Sequence, residues 1–308
     1  MTDLFTVISD KGTQTAAAVE IWQDGVILAA TETANFLPGS PLISQSAFAD
    51  KSIHTFIKYA ALDGGGALTD GVEVTSDEMV DSEVNLTLAE YGNVVTTTNL
   101  GHVSTGGRLD PAAAELVGRD MATTLDKVAI QVLEAATNEV TVNATNEATT
   151  AATDIITPAF VQKMYNKLRR SNIPGPYFAV GHPDVMYDLK AGTAANNWTE
   201  VLKYTNAGGV FANQIQSYGG FGWIESSNIT INTDAGASAV DTYHTIFMGY
   251  NALGLAVSSS VPLTTTLISG TDKLDRFLHI GWKAILAYGI IDTNAVWLLT
   301  SASTVGAN

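Results

Sequence analysis

One stretch limits the fold of this chain more than any other: DPAAAELVGRDMATTLDKVAIQVLEAAT, from Asp110 to Thr137. Asp110 suits an N-cap, because its carboxylate accepts from the free N–H groups of a first helical turn. Pro111 follows where a missing N–H costs nothing and a fixed φ helps. Val117, Met121, Leu125, Val128 and Val132 recur at three- and four-residue steps, the mark of an apolar stripe along one helix. Glu115 and Arg119 stand at the i,i+4 spacing of a helical ion pair. At 1.5 Å per residue this helix runs roughly 40 Å, well beyond the usual three turns. A rod of that length is a strut, and the remaining elements have to be arranged along it.

Composition narrows what the strut supports. Of 308 residues, 46% are hydrophobic and 15% charged, which gives a real core and excludes a disordered chain. The formal net charge of −16 argues against a protein that grips phosphate backbones through Lys and Arg. Without cysteine there is neither a disulfide scaffold nor a thiolate metal site. The opening MTDLFTVISD lacks the basic-then-apolar pattern of a secretory signal. The most membrane-like run, Ala284 to Ile291, stops at Asp292, far short of a bilayer. A soluble, acidic, intracellular protein is expected, in which the Asn-x-Ser/Thr matches at Asn85, Asn143, Asn197 and Asn228 are chance.

In chain order, residues 1–50 read as an extended arm, broken by Pro38, Gly39 and Pro41. Ile53 to Leu62 can form a strand, followed by the glycine-rich DGGGALTDG. An acidic patch (Asp77, Glu78, Asp81, Glu83) precedes Val84, Leu86 and Leu88 in strict alternation, and then comes the β-branched EYGNVVTTTNLG. Together these predict a long hairpin with a Gly-rich, acidic tip. A two-stranded hairpin is marginal alone, so its own domain or a neighbouring subunit must cover it. After the strut, Asn138 to Asp154 is polar with a short EVTVN strand. Thr157-Pro158 then opens a helix with Phe160, Val161, Met164, Tyr165 and Leu168 on one face. Helices alternate with short strands as far as Val257, which predicts an inserted α/β unit. Ser258 to Lys273 reads as a crossing loop. The closing runs RFLHIGWKAILAYGI and AVWLLT are expected to pack beside the strut.

Catalytic and ligand-binding signatures are weak throughout. The five histidines (His54, His102, His182, His244, His279) form no helical metal pair. GHVSTGGR lacks the Lys-Ser/Thr of a phosphate loop, and YGGFGW lacks the third spaced glycine of a dinucleotide site. The acidic patch has no EF-hand glycine and reads as a solvated face. No Gly-x-Ser-x-Gly elbow is present. The expected catalytic, cofactor-binding and metal-binding residues are therefore none.

Four strings in order carry a family resemblance: LTLAEYGNVVTTTNL before the strut, YFAVGHPDVMYDLKA and GGFGWIESSNI after it, and HIGWKAILAYGIID near the end. From about Ile21 onward the chain resembles the Hong Kong 97-like major capsid proteins of tailed bacteriophages. The resemblance implies an α+β fold with an N-terminal arm (1–50), an E-loop hairpin (51–100) and a spine helix (110–137). The peripheral domain would take residues 101–155 and 258–308, and the inserted axial domain residues 156–257. It further implies a structural, non-enzymatic protein that self-assembles into hexamers and pentamers of an icosahedral head around double-stranded DNA. No membrane contact is implied. Inter-subunit contacts are expected at the hairpin and arm, at Lys58, Tyr59, Asp63, Asp70, Glu83 and Tyr91.

A portal and a decoration protein are among the implied partners; since only about fifty residues precede the hairpin, either a separate scaffolding protein is implied too or a scaffolding segment has already been cleaved. Some relatives cross-link a hairpin lysine; nothing marks Lys51 or Lys58 as reactive. The acidic balance fits either an inner face that leaves DNA mobile or simple solubility. Two other readings stay open: an encapsulin-type nanocompartment shell, and an acidic surface-layer binding protein.

Overall fold

The computed structural model describes residues 35–36, 40–49, 51–62, 64–74, 76–104, 109–191, 217–260, 263–269, 274 and 276–305. Most of the expected arm, and Asp63 at the hairpin, lie outside them. Strand β1 (Gln45–Ala49) comes first, then the hairpin β2 (Ile53–Tyr59) and β3 (Asp81–Thr87). Strand β4 (Ala89–Thr98) leads through a short helix α1 (Asn99–Ser104) into the long helix α2 (Leu109–Glu134). After β5 (Glu139–Thr141) come α3 (Pro158–Arg170), β6 (Phe178–Gly181) and α4 (Pro183–Ala191). Short strands β7 (Ser217–Tyr218), β8 (Phe221–Glu225) and β9 (Ile231–Asn232) precede β10 (Thr242–Met248) and β11 (Leu253–Ser258). The chain closes with β12 (Leu263–Ser269), β13 (Phe277–Ile290) and β14 (Val296–Ser301).

Helix α2 is 26 residues long and ends three residues before the expected limit. Its buried side is broader than the single stripe. Val117, Met121 and Leu125 are buried as expected, but Ala122, Ala129, Ile130 and Leu133 are buried too, while Val128 and Val132 are only partly covered. The helix lies along β13 and β4 and reaches β10 at its far end, so it needs an apolar arc rather than a seam. Arg119 does pair with Glu115, on a face where both side chains are more than half exposed and the pair adds little.

The fourteen residues of β13 form the axis of the first sheet. Strand β4 runs antiparallel along one edge, from Phe277↔Thr98 to Leu286↔Ala89. Strands β12 and β11 share the other edge in succession, and β1 adds in parallel outside β11. The second sheet has the order β5-β14-β10-β6-β8-β7, with β9 beside β10. Helices α3 and α4 cover one face of it: Tyr165 of α3 meets Phe221 edge-on at 6.1 Å, and Tyr243 bonds Asp184 of α4 at 3.1 Å.

Three expectations of the sequence reading change. The supposed crossing loop contains β12, because Thr264 to Thr266 are β-branched and find the open edge of β13. EYGNVVTTTNLG leaves the hairpin as β4 and spans ten residues of β13 instead. AVWLLT becomes β14, paired with β10 in the second sheet, while LGLAV becomes β11 in the first. Apolar runs of this length report that a strand is buried, and not which sheet buries it.

Candidate functional site

Two stretches, one at Asn35 and Phe36 and one at the hairpin, are fastened to this body. The arm enters at Asn35 and Phe36. The N–H groups of Asn35 and Phe36 donate to Asp126 Oδ1 at 2.8 and 3.1 Å, and the Asn35 and Asn228 amides reach Oδ2 at 3.3 Å each. The Phe36 carbonyl accepts from the Tyr288 hydroxyl at 2.6 Å. Burial first, then the neighbouring Asp126 charge, pushes the Tyr288 phenol far above its ordinary range, so it stays a donor. Phe36 and Asp126 are both 0% exposed. The arm is thus bolted to the middle of α2 and to β13 before it continues into β1.

The hairpin is seated on the opposite face of the first sheet. Its inward side chains Phe56 and Leu86 form a small cluster with Ala256, Ala287 and Ile291. The seat is shaped by two glycines that face each other in register, Gly254 of β11 and Gly289 of β13. A Cβ on Gly289 would stand 2.9 Å from Leu86 Cγ, and one on Gly254 would stand 2.7 Å from Ile291 Cδ1. Only bare backbone lets the hairpin lie this close. Lys58 Nζ adds an ion pair to Asp292 at 2.8 Å.

Beyond the seat, little among the described residues covers the hairpin. The outward residues Ile53, Ile57 and Tyr59 are each more than half exposed. Past the last ladder bond, Ala60 N–H to Val80 O at 2.9 Å, the limb exposes Leu62, Leu68, Val72, Val74, Met79 and Val80. Its turn has Val72 N–H on Thr69 O, with Gly71 at φ +77. Asp70, Glu73, Asp77, Glu78, Asp81 and Glu83 are exposed along the same limb.

The structure places the candidate contact residues in three settings. Tyr59, Asp70 and Glu83 are exposed on the hairpin. Lys58 points back to its own Asp292, and Tyr91 is half-buried in β4 against the main core. Asp63 lies outside the described residues. The sequence reading missed Asp126, Phe36 and the glycine pair. Asp126 did leave a trace, because it sits four residues after the buried Ala122 and four before the buried Ile130.

The remaining ionisable clusters serve the fold. His182 follows β6 and precedes Pro183, and its Nδ1 accepts from the Asp184 N–H at 3.3 Å. Burial holds the imidazole below its ordinary pKa despite the Asp184 carboxylate beside it. Burial, helped by Asp184, also pushes the Tyr243 phenol up to about 12. A histidine depressed on folding takes up its proton more readily when unfolded, so its stabilisation is complete above the unfolded value and lost as pH falls through it. Wild-type protein should therefore lose denaturation midpoint between about pH 7.5 and about pH 5.5. His182→Asn, which keeps an acceptor for the turn, should flatten that part of the slope in parallel urea titrations.

An open hollow of about 790 Å³ beside α3 is lined by Tyr177, Phe178, Tyr218 and the backbone of Gly219 to Gly222, without a carboxylate or histidine. Among the described residues no three His, Asp or Glu side chains converge as metal donors. No helix among them is long and apolar enough to cross a membrane.

Comparison with known proteins gives a consistent picture. Residues 104–299 match a protein family described as phage capsid protein. Among solved structures, the capsid of Ralstonia phage GP4 superposes with a TM-score of 0.73 at 14% identity, covering 89% of this chain and 92% of that one. The capsid of cyanophage Pam1 gives 0.71 at 14% identity over 99% and 100%. The head of Helicobacter pylori bacteriophage KHP40 gives 0.64 at 13% identity over 86% and 92%. No curated protein matches the chain in sequence.

Proposed function

Because this chain belongs to the phage capsid protein family and has the Hong Kong 97-like fold, a structural role follows, and we propose that copies of it build the hexamers and pentamers of an icosahedral head around double-stranded DNA. The observation that carries this reading is the hairpin. Its root is locked into the chain by Phe56, Leu86 and Lys58, yet its limb holds six large apolar side chains that are each more than 60% exposed. Burying such a side chain is worth about 1.5–3 kcal/mol, so a neighbour that covered the limb would gain a stable contact from area alone. In this reading Tyr59, Asp70 and Glu83, with Asp63, meet the neighbour. Lys58 and Tyr91 support them from within their own chain. A portal, a scaffolding protein and a decoration protein complete the partners, and assembly takes place in the host cytoplasm before the chain becomes part of the virion.

The test is to express the full chain and image the product after size-exclusion chromatography. Uniform shells, tubes or six-fold rings are expected, and their contents separate a DNA-filled head from a compartment with protein cargo. A persistent monomer with a hairpin already resistant to protease would overturn the proposal, since the limb would then need no neighbour.

A further inference from the structure

Helix α3 carries a charge pattern that the rest of the chain does not prepare for. The sequence has 15 Lys and Arg against 31 Asp and Glu, yet Lys163, Lys167, Arg169 and Arg170 fall within eight residues of a helix without a single acid. Cations in a last turn complement the helix dipole, which accounts for Arg169 and Arg170 but not for Lys163, more than a turn earlier. Val161, Met164 and Leu168 face the core, and this points Lys163 and Arg170 outward. Lys167 lies on the flank, 4.1 Å from the Trp297 ring centroid. Burial, then the Lys163 and Arg170 charges, makes the Lys167 ammonium easier to deprotonate, so the like charges are unrelieved. None of the four cations forms an ion pair with a described carboxylate.

The complementary surface is on the same chain. Between Lys58 and Arg108 there is no Lys or Arg, and six acids fall from Asp70 to Glu83, all exposed. No ion pair among the described residues engages any of the six. The hairpin is seated on the first sheet and α3 on the second, so the two surfaces carry opposite charge on different parts of one molecule. We propose that the cationic face of α3 receives the acidic hairpin limb of a second copy. The inference rests on the assembly reading above and adds the landing site. Exposed complementary charges act mainly on encounter and register, so the contact sets how fast and in which orientation copies join, and salt weakens it.

The experiment uses full-length chains and follows light scattering, with electron microscopy of the products. Lys163→Glu with Arg170→Glu leaves the Trp297 contact in place, and Lys163→Gln with Arg170→Gln is the milder control. Unchanged melting of the unassembled chain confirms the fold in each. The reversed variant should assemble at least ~10-fold slower than wild type at low salt, with the gap narrowing at high salt. Combining it in one chain with Asp77→Lys, Glu78→Lys and Asp81→Lys should restore most of the rate. Assembly at wild-type speed by the reversed variant, or failure of the combined chain to recover, would overturn the proposal and leave the assembly reading standing. Wild-type chain that forms no particles would remove both. Salt-sensitive retention of duplex DNA that the α3 reversal abolishes, without rescue by the hairpin changes, would assign the face to nucleic acid instead.

Discussion

Asp126→Ala is expected to destabilise the unassembled chain by roughly 3–5 kcal/mol, because it removes the shared acceptor of four donors, one of them buried and three part-buried, at once. The carboxylate is 0% exposed and receives the backbone N–H groups of Asn35 and Phe36 and the side-chain amides of Asn35 and Asn228. The Phe36 N–H is buried and has no water to turn to when the acceptor goes, the other three donors are part-buried, and hydrogen bonds to a charged group are the costly ones to lose. Asp126→Asn keeps one acceptor oxygen and should fall between wild type and Asp126→Ala in urea denaturation midpoint. The local signature is sharper than the global one. Phe36 is wholly buried in wild type, so chymotrypsin should cut after it at least ~10-fold faster in Asp126→Ala. A midpoint within error of wild type would show that the arm is held by Phe36 packing alone.

Gly289→Val should act on the hairpin and spare the rest. The new Cβ falls 2.9 Å from Leu86 Cγ and 3.0 Å from Leu86 Cδ1, on a strand held there by its ladder with β11. Overpacking of this kind costs about 1–3 kcal/mol, which shifts the seated and lifted forms of the hairpin by roughly 5- to 150-fold. Protease cleavage between Ile53 and Thr87 should rise accordingly, and particle yield should drop with it. Adding Leu86→Ala removes the clashing atoms and should recover part of both, a positive coupling in the double-mutant cycle. Additive losses would mean that the glycine pair does not form the seat.

The long helix, the two strands at the hairpin's root and the inserted helices were legible because each is written in local periodicity. Val117, Met121 and Leu125 announce α2 with no help from distant residues, and Phe56 and Leu86 fall on the inward side that alternation requires. What escaped depends on partners far along the chain. Asp126 makes sense only once Asn35, 91 residues earlier, is beside it. Gly289 looks like a weak residue inside an apolar strand until Leu86 is placed on it. Thr264 to Thr266 read as loop because their stabilisation comes from the β13 edge and not from an apolar pattern of their own. The hairpin was expected to lie against its own domain or a neighbour, and its root lies against the first sheet, but which of its residues face outward needed that seat. Lys58 in particular is turned inward by Asp292.

Tyr288 and Gly289 are consecutive residues of β13, and consecutive residues of a strand point to opposite faces. The first holds the arm through Phe36 on the side of the long helix, and the second receives the hairpin on the other side. Both fastenings therefore share one peptide step of the central strand as their fulcrum. A step bonded into the ladder with Gly254 and Leu255 has no freedom to swivel by itself, so the fastening at Phe36 and the seat of the hairpin keep a fixed bearing to each other. Where copies are joined through these two stretches, the roots act as a rigid set square. The bend that closes a curved surface must then be taken up farther out along the limbs or by tilting of whole bodies, never at the corner itself.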